Sequence, residues 1–297
     1  MRKIGVFFSG FLPFLTTFVA QGLATVFMLG IAAFFLFFAA KQPGFDFSTL
    51  QDLLLNTEFN ACIMLIYSIT CIVLMGLWYY RSCGGNFLPS PSRTFHPLQI
   101  LAVVILVPGM QFFSGYLTTG VALIFPDWMD QYENLMETAG LSTQVGFFMF
   151  CYAVLLGPLC EELVFRGVTL RRFRLVLPFW AANVLQALLF GIFHMNWIQG
   201  IYAFVLGLLL GFLCEKGGSI YVSLLFHILF NFWGTVVGSL LSTLPDTAAV
   251  EIAMLFITLL SLGIGFRLFA IGERKKQKRC AASTASPSHA DHSGESE

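Results

Sequence analysis

Long apolar runs separated by short polar segments make up most of this chain. A helix needs about 20 apolar residues to cross a bilayer core of about 30 Å. On that criterion the pattern predicts eight membrane-spanning helices, at residues 11–40, 59–80, 98–125, 145–170, 179–197, 199–214, 219–242 and 249–271. The sixth is short for a crossing, and Pro108 should kink the third. The predicted fold class is therefore an all-α, polytopic membrane helical bundle.

Composition supports a membrane protein and excludes several other classes. Only 11% of the residues are charged, against about 25% in a soluble domain, and the mean hydropathy is +0.81. The basic clusters flank apolar runs and form no patch suited to nucleic acid, so the expected surroundings are a lipid bilayer. The seven Cys contain no Cys-x-x-Cys spacing, which argues against a disulfide framework or a zinc ribbon.

The distribution of charge predicts an orientation. Basic residues occur near both termini and in every second loop, whereas the other loops are acidic. The basic positions include Arg2, Lys3, Arg81, Arg93, Arg171, Arg172, Arg174, Lys216 and Arg274. The acidic positions are Asp46, Asp52, Glu58, Asp127, Asp130, Glu133, Glu137, Asp246 and Glu251. Positive charge is retained on the cytoplasmic side of membrane proteins. We therefore expect a multi-pass protein of the cell membrane with both termini in the cytoplasm.

Three charges inside the fourth apolar run need a reason. Glu161, Glu162 and Arg166 lie within one and a half turns, and one charge at the bilayer centre costs about 2.5 kcal/mol or more. Glu162 and Arg166 stand four apart and can pair on one helix face, whereas Glu161 points about 100° away. A structural ion pair at a helix end is the alternative to a functional site, but it does not require two adjacent carboxylates.

Two further helices carry polar stripes. In the fifth apolar run one face holds Asn183, Gln186, Phe190 and His194, and in the seventh Ser223, His227 and Asn231 are spaced by four. Polar packing between helices is the alternative to a functional role for each stripe. Counting 1.5 Å per residue, Glu161 reaches the level of the two histidines only if its helix continues past Arg166 toward Arg172.

These motifs together resemble a known family. Glu161-Glu162-x-x-x-Arg166, Phe190-x-x-x-His194 and His227-x-x-x-Asn231 follow one another on three separate apolar runs. This pattern is similar to that of the CPBP family, the CAAX prenyl protease and bacteriocin-processing intramembrane endopeptidases, also called Abi proteins. The resemblance covers about residues 145–245 and implies an active site in the bundle interior.

The resemblance also implies roles for individual residues. Glu161 and His194 would activate a water, Glu162 and Arg166 would support Glu161, and His227 with Asn231 would stabilise the oxyanion. The cofactor question stays open: Zn²⁺ could be bound by Glu161, His194 and His227, although the chain lacks His-Glu-x-x-His. Metal-free glutamate catalysis is the favoured interpretation.

On this basis the chain divides into four segments. Residues 1–144 hold the N-terminal helices and an outer amphipathic helix within 126–144, residues 145–245 the catalytic helices, and 246–272 the last span. Residues 273–297 are expected to be a disordered cytoplasmic tail, in which His289 and His292 have no catalytic role.

The function predicted is hydrolysis of a peptide bond in a membrane-associated peptide or protein, with prenylated and leader-type substrates both open. A non-enzymatic immunity or regulatory protein, or a transporter, could use the same polar cluster. A rhomboid-like serine protease is disfavoured because Ser223 and Ser239 lack the Gly-x-Ser-x-Gly context.

Overall fold

The secondary structure is helical throughout the part of the chain that the computed structural model describes, residues 2–41, 48, 56–82, 95–141, 145–241, 243–245 and 247–285. This confirms the predicted helical bundle. The helices, in chain order, are α1 (Arg2–Ser9), α2 (Leu12–Ala39), α3 (Thr57–Ser82), α4 (Pro97–Ile124), α5 (Pro126–Thr138), α6 (Phe147–Arg174), α7 (Phe179–Phe193), α8 (Trp197–Gly217), α9 (Ile220–Val237) and α10 (Ala248–Ala285).

The number of long spans differs from the prediction. In the described residues seven helical stretches are long and apolar enough to cross a membrane, and α7 is the exception, with 15 residues. Its length of about 22 Å falls short of a core of about 30 Å. The predicted span 179–197 is too long because a turn follows Phe193, with Met195 at φ +52°. In contrast, α8 has 21 residues and exceeds the predicted 199–214.

Apolar side chains cover the outside of the bundle as well as its interior. Phe34 and Phe35 on α2 are 61% and 66% exposed, as expected of a surface that faces lipid. The interior is filled by Phe165 and Phe173 on α6 and Phe226 on α9, which are fully buried. The bundle therefore forms a multi-pass membrane protein whose packed core surrounds α6.

A hydroxyl group from α10 compensates for Pro108 in α4. The Ser261 Oγ accepts a hydrogen bond from Gly109 N at 3.0 Å and donates to Ile105 O. These two backbone groups would pair with each other in an uninterrupted α-helix. The sequence predicted a kink at Pro108. The hydroxyl group that pairs with the two backbone groups there belongs to α10, which is distant in sequence.

The C-terminal segment differs from the prediction of disorder from residue 273. The α10 helix continues to Ala285, and residues 286–297, with His289 and His292, lie outside the described part. Contacts to other segments hold the extension: the Lys276 Nζ donates to Gly217 O, and the Arg279 Nη2 donates to Phe95 O at 3.3 Å. The sequence pattern did not predict this helical extension because the bonds that hold it are polar and add no apolar periodicity.

The α6 helix has the unusual winding that positions the site. Its segments Cys151–Leu156 and Glu162–Leu170 are wound as π-helix, separated by the α-helical turn Gly157–Glu161. π-helical turns are rare and occur frequently at functional sites. The helix continues past Arg166 to Arg174. This confirms the predicted continuation toward Arg172, which Glu161 needs in order to reach the level of the two histidines.

Candidate active site

The Glu162 carboxylate is fully buried and contacts three side chains. Its Oε1 lies 2.9 Å from Arg166 Nη1 in an ion pair and 3.0 Å from His227 Nδ1. Its Oε2 accepts a hydrogen bond from Ser223 Oγ at 2.6 Å. Both members of the ion pair are inaccessible to solvent. A carboxylate with this many partners is fixed in place, so Glu162 ties α6 to α9.

The imidazole of His227 lies between the two adjacent carboxylates. Its Nδ1 faces Glu162, and its Nε2 lies 3.5 Å from Glu161 Oε2. Because a carboxylate oxygen accepts hydrogen bonds, Nδ1 donates to Glu162, whereas Nε2 faces Glu161 across the longer contact. The His227 ring thus connects the adjacent side chains of Glu161 and Glu162.

Glu161 is the less engaged of the two glutamates. Its side chain is 12% exposed, and its contact with His227 is long. Within the described part of the chain, Glu161 and His194 share no direct hydrogen bond or ion pair. The Glu162 carboxylate therefore has several bound partners, whereas the Glu161 carboxylate remains available to another group.

His194 lies directly after α7, in the turn before α8. Its Nδ1 is 2.8 Å from Phe190 O. Since a carbonyl oxygen only accepts, the hydrogen is on Nδ1, and Nε2 is the nitrogen that can take up a proton. Asn196 then caps α8 by accepting from Gln199 N at 3.0 Å. The turn thus sets both the tautomer of His194 and the direction of the next helix.

The Phe190 ring packs among the polar side chains of the site. Its centroid lies 4.4 Å from the Arg166 guanidinium carbon, 4.9 Å from the His194 ring and 5.9 Å from the His227 ring. Only 1% of the residue is exposed. A cation over an aromatic face is attracted by the ring quadrupole. Phe190 therefore joins three of the sequence motifs into one cluster.

Asn183 and Gln186, the first two residues of the polar stripe on α7, serve helix packing. Asn183 Nδ2 donates to Leu208 O at 3.0 Å, and Gln186 Nε2 donates to Gly207 O at 2.9 Å. Gln186 also donates to Asn183 Oδ1 at 2.8 Å. These bonds join α7 to the backbone of α8. For these two residues the structure therefore shows polar packing between helices, which was the alternative to a functional role.

Asn231 borders a cavity of about 380 Å³ that several polar side chains line. Its Nδ2 donates to Ala153 O at 2.8 Å, which uses one of the two hydrogens on that nitrogen. Polar side chains from four helices complete the lining; among them are Gln111, Ser114, Thr118, Tyr132, Gln199, Tyr202 and Thr235. The second Asn231 hydrogen is available to a group that enters this cavity.

The donor set does not have the arrangement that zinc prefers. Catalytic zinc takes three protein ligands that converge on one point. In the described ranges no three His, Cys, Asp or Glu side chains are grouped in a way that could hold a metal ion. As they are arranged, Glu161, His194 and His227 do not fit a zinc triad.

Sequence reasoning assigned no role to some residues around the site. Ser223 shares a helix face with His227, and this spacing was the available signal for its contact with Glu162. No comparable signal marks Gln111, whose Nε2 donates to Phe230 O at 2.5 Å, because it lies on α4, far away in sequence. The cavity lining is thus a product of tertiary packing.

Residues 143–233 match the family described as "Type II CAAX prenyl endopeptidase Rce1-like". This range contains all three motifs, and its structure brings them to one place. The match supports the CPBP family of CAAX proteases for this part of the chain. It supports a protease of the intramembrane CAAX type in general. Comparison with curated proteins and with solved structures found no match.

Proposed function

We propose that the chain is an intramembrane endopeptidase in which Glu161 and His194 activate the attacking water. The observation that supports this is the unequal engagement of the two glutamates. Glu162 has three partners, whereas Glu161 has one contact of 3.5 Å and is the partly exposed member. A general base must reach its proton by a direct contact or through one water, and only Glu161 retains that freedom.

The remaining residues take supporting roles in this proposal. Arg166, Ser223 and Glu162 orient His227. The Nε2 hydrogen of His227 and the second Nδ2 hydrogen of Asn231 then stabilise the oxyanion formed when hydroxide attacks the peptide carbonyl. Glu161 takes the proton from water and passes it to the leaving amine. The long contact at His227 Nε2 leaves this donor able to turn toward a substrate oxygen.

The substrate proposed is a peptide segment that enters from the membrane, with or without a lipid group. A peptide within the bilayer needs polar partners for its backbone groups. The cavity at Asn231 supplies amide, hydroxyl and phenol groups, and this supports the proposal that an extended peptide binds there.

The test uses purified protein and matched pairs of membrane peptides, each made with and without a prenyl group. Glu161→Gln and His194→Ala should each lower the cleavage rate by at least about 100-fold, the usual scale of a lost general base. Glu251→Gln on α10 is the control and should cleave like the wild type. Full cleavage by Glu161→Gln at wild-type membrane levels would exclude the proposed base and favour the non-enzymatic alternative.

A second measurement addresses the metal. The protein is treated with a strong chelator, its metal content is determined, and cleavage is assayed again. Retained cleavage in metal-free protein supports the glutamate mechanism. Loss of cleavage that zinc restores would contradict it, and would require Glu161, His194 and His227 to move together.

A further inference from the structure

A large basic cavity borders the proposed active site at Arg166. It has a volume of about 1130 Å³ and is bounded by the ends of α3, α6 and α8. Five arginines line it, against one glutamate: Arg81, Arg166, Arg171, Arg172, Arg174 and Glu215. Cavities that bind small molecules have volumes of about 300–1,000 Å³, so this one can hold a molecule of lipid headgroup size.

The lining of the cavity is basic. Glu215 pairs with Arg174 at 3.0 Å, and Glu162 pairs with Arg166 from behind the cavity wall. Five guanidinium groups thus line the cavity together with one carboxylate. Such an excess at one concave surface suits an anion.

Two of the arginines are held against aromatic rings of α3. The Arg172 guanidinium carbon lies 5.3 Å from the Trp78 ring centroid, and that of Arg171 lies 4.7 Å from the Tyr79 ring centroid. A stacked guanidinium still presents N–H groups at its edge, in the fork geometry that matches phosphate oxygens. The two side chains are thereby pre-oriented, which lowers the entropy lost when an anion binds.

The wall below the arginines is apolar and opens to the outside of the bundle. Leu74 and Leu77 on α3 line the cavity and are 45% and 52% exposed. Arg81 stands in the last turn of the same helix, where the apolar span ends. A basic rim above a lipid-facing apolar wall is complementary to an amphiphile with an anionic head. It is not complementary to a free ion alone.

We propose that this cavity binds the phosphate group of an anionic phospholipid, with the acyl chains along Leu74 and Leu77. Basic pockets between membrane helices are known to take such headgroups. The positive-inside rule explains why arginines occur near these helix ends, but it does not require two helices, α3 and α6, to direct them into one cavity. The site shares Arg166 with the proposed active site, but neither Glu161 nor His194 lines it.

The test is a binding titration of the full-length protein in a neutral detergent, followed by native mass spectrometry and thermal unfolding. The probes are phosphatidylglycerol, phosphatidylcholine with the same acyl chains, and soluble glycerol phosphate. Phosphatidylglycerol should bind and raise the unfolding temperature, and the other two should do neither. Equal binding of phosphatidylcholine would overturn the anionic site, and equal binding of glycerol phosphate would overturn the lipid assignment.

Variants locate the site. Because a hydrogen bond to a charged group contributes about 1.5 kcal/mol or more, Arg171→Gln combined with Arg172→Gln should weaken phosphatidylglycerol binding at least about tenfold. Arg267→Gln on α10 removes an exposed arginine elsewhere and should have no effect. Arg81→Gln, from a different helix, provides an independent measurement if the double variant unfolds. Wild-type affinity in a folded double variant, or in Arg81→Gln where the double variant unfolds, would refute the proposal.

Discussion

Glu162 Oε1 lies 3.0 Å from His227 Nδ1, and this contact joins two residues that stand 65 positions apart. It places the second glutamate of the pair, and not the first, at the centre of the polar network. Glu162 therefore acts as the anchor between α6 and α9, and Glu161 is left at the edge of the network.

The buried Glu162–Arg166 pair should be sensitive to the loss of either partner. Glu162→Gln leaves the guanidinium buried and uncompensated, which typically costs about 3–5 kcal/mol. We expect a large fall in the thermal unfolding temperature of the detergent-solubilised protein. Glu215→Gln is the control, since it breaks an ion pair whose members are 34% and 35% exposed, and such pairs contribute about 1 kcal/mol or less. Equal effects of the two variants would contradict the proposed anchor.

Ser223 should stabilise the site through Glu162. Ser223→Ala removes the 2.6 Å hydrogen bond to a fully buried carboxylate, and a hydrogen bond to a charged group contributes about 1.5–3 kcal/mol. The unfolding temperature and the cleavage rate should both fall, because Glu162 and His227 lose a fixed orientation. Ser82→Ala is the matched control, since that hydroxyl bonds only within its own helix in exposed surroundings. An unchanged Ser223→Ala protein would show that Ser223 has no positioning role.

Gly211 on α8 should tolerate no side chain. A Cβ atom there would lie 1.9 Å from Asn183 Oδ1 and 2.8 Å from Gln186 Nε2. Overpacking of this kind costs about 1–3 kcal/mol, and it should separate α7 from α8 and displace His194. Gly211→Ala should therefore lower both stability and activity.

The control for this substitution is Gly22→Ala on α2, where no atom lies within 4 Å of the added carbon. Alanine favours a helix over glycine, so this variant should be at least as stable as the wild type. A Gly211→Ala protein that behaves in the same way would show that α7 and α8 can move apart without consequence.

Labelling of single cysteines tests whether the short α7 helix crosses the membrane. Leu175 and Met195 flank α7 and are 66% and 78% exposed. In a chain without native cysteines, Met195→Cys should react with a membrane-impermeant maleimide in intact cells, and Leu175→Cys only after permeabilisation. A local thinning of the bilayer can accommodate a helix of about 22 Å. Reaction of both positions from the same side would show that α7 does not cross, and the seven remaining spans would then place the two termini on opposite sides of the membrane.

Much of the fold could be predicted because its causes are local. A run of about 20 apolar residues is sufficient to predict a membrane helix, and most of the helices were located in this way. The fifth span was predicted too long because the apolar run continues through His194 and Met195, where the backbone turns. The tail was misjudged because polar bonds from Lys276 and Arg279 hold it.

The candidate residues were also identifiable from sequence, since charged and polar groups inside apolar runs are costly and need partners. The sequence paired Glu162 with Arg166 by their spacing of four, and the structure confirms that pair. It could not assign His227 to contact both glutamates, or Ser223 to bond with Glu162, because these contacts connect separate helices.

The sequence by itself therefore determined the membrane class, most of the spans and the set of polar residues. Each of these follows from the cost of placing particular side chains in an apolar solvent. Only the tertiary structure decided which carboxylate is saturated and which is available. That outcome depends on the π-helical winding of α6, which sets the direction of each side chain, and on the packing of α6 against α7 and α9.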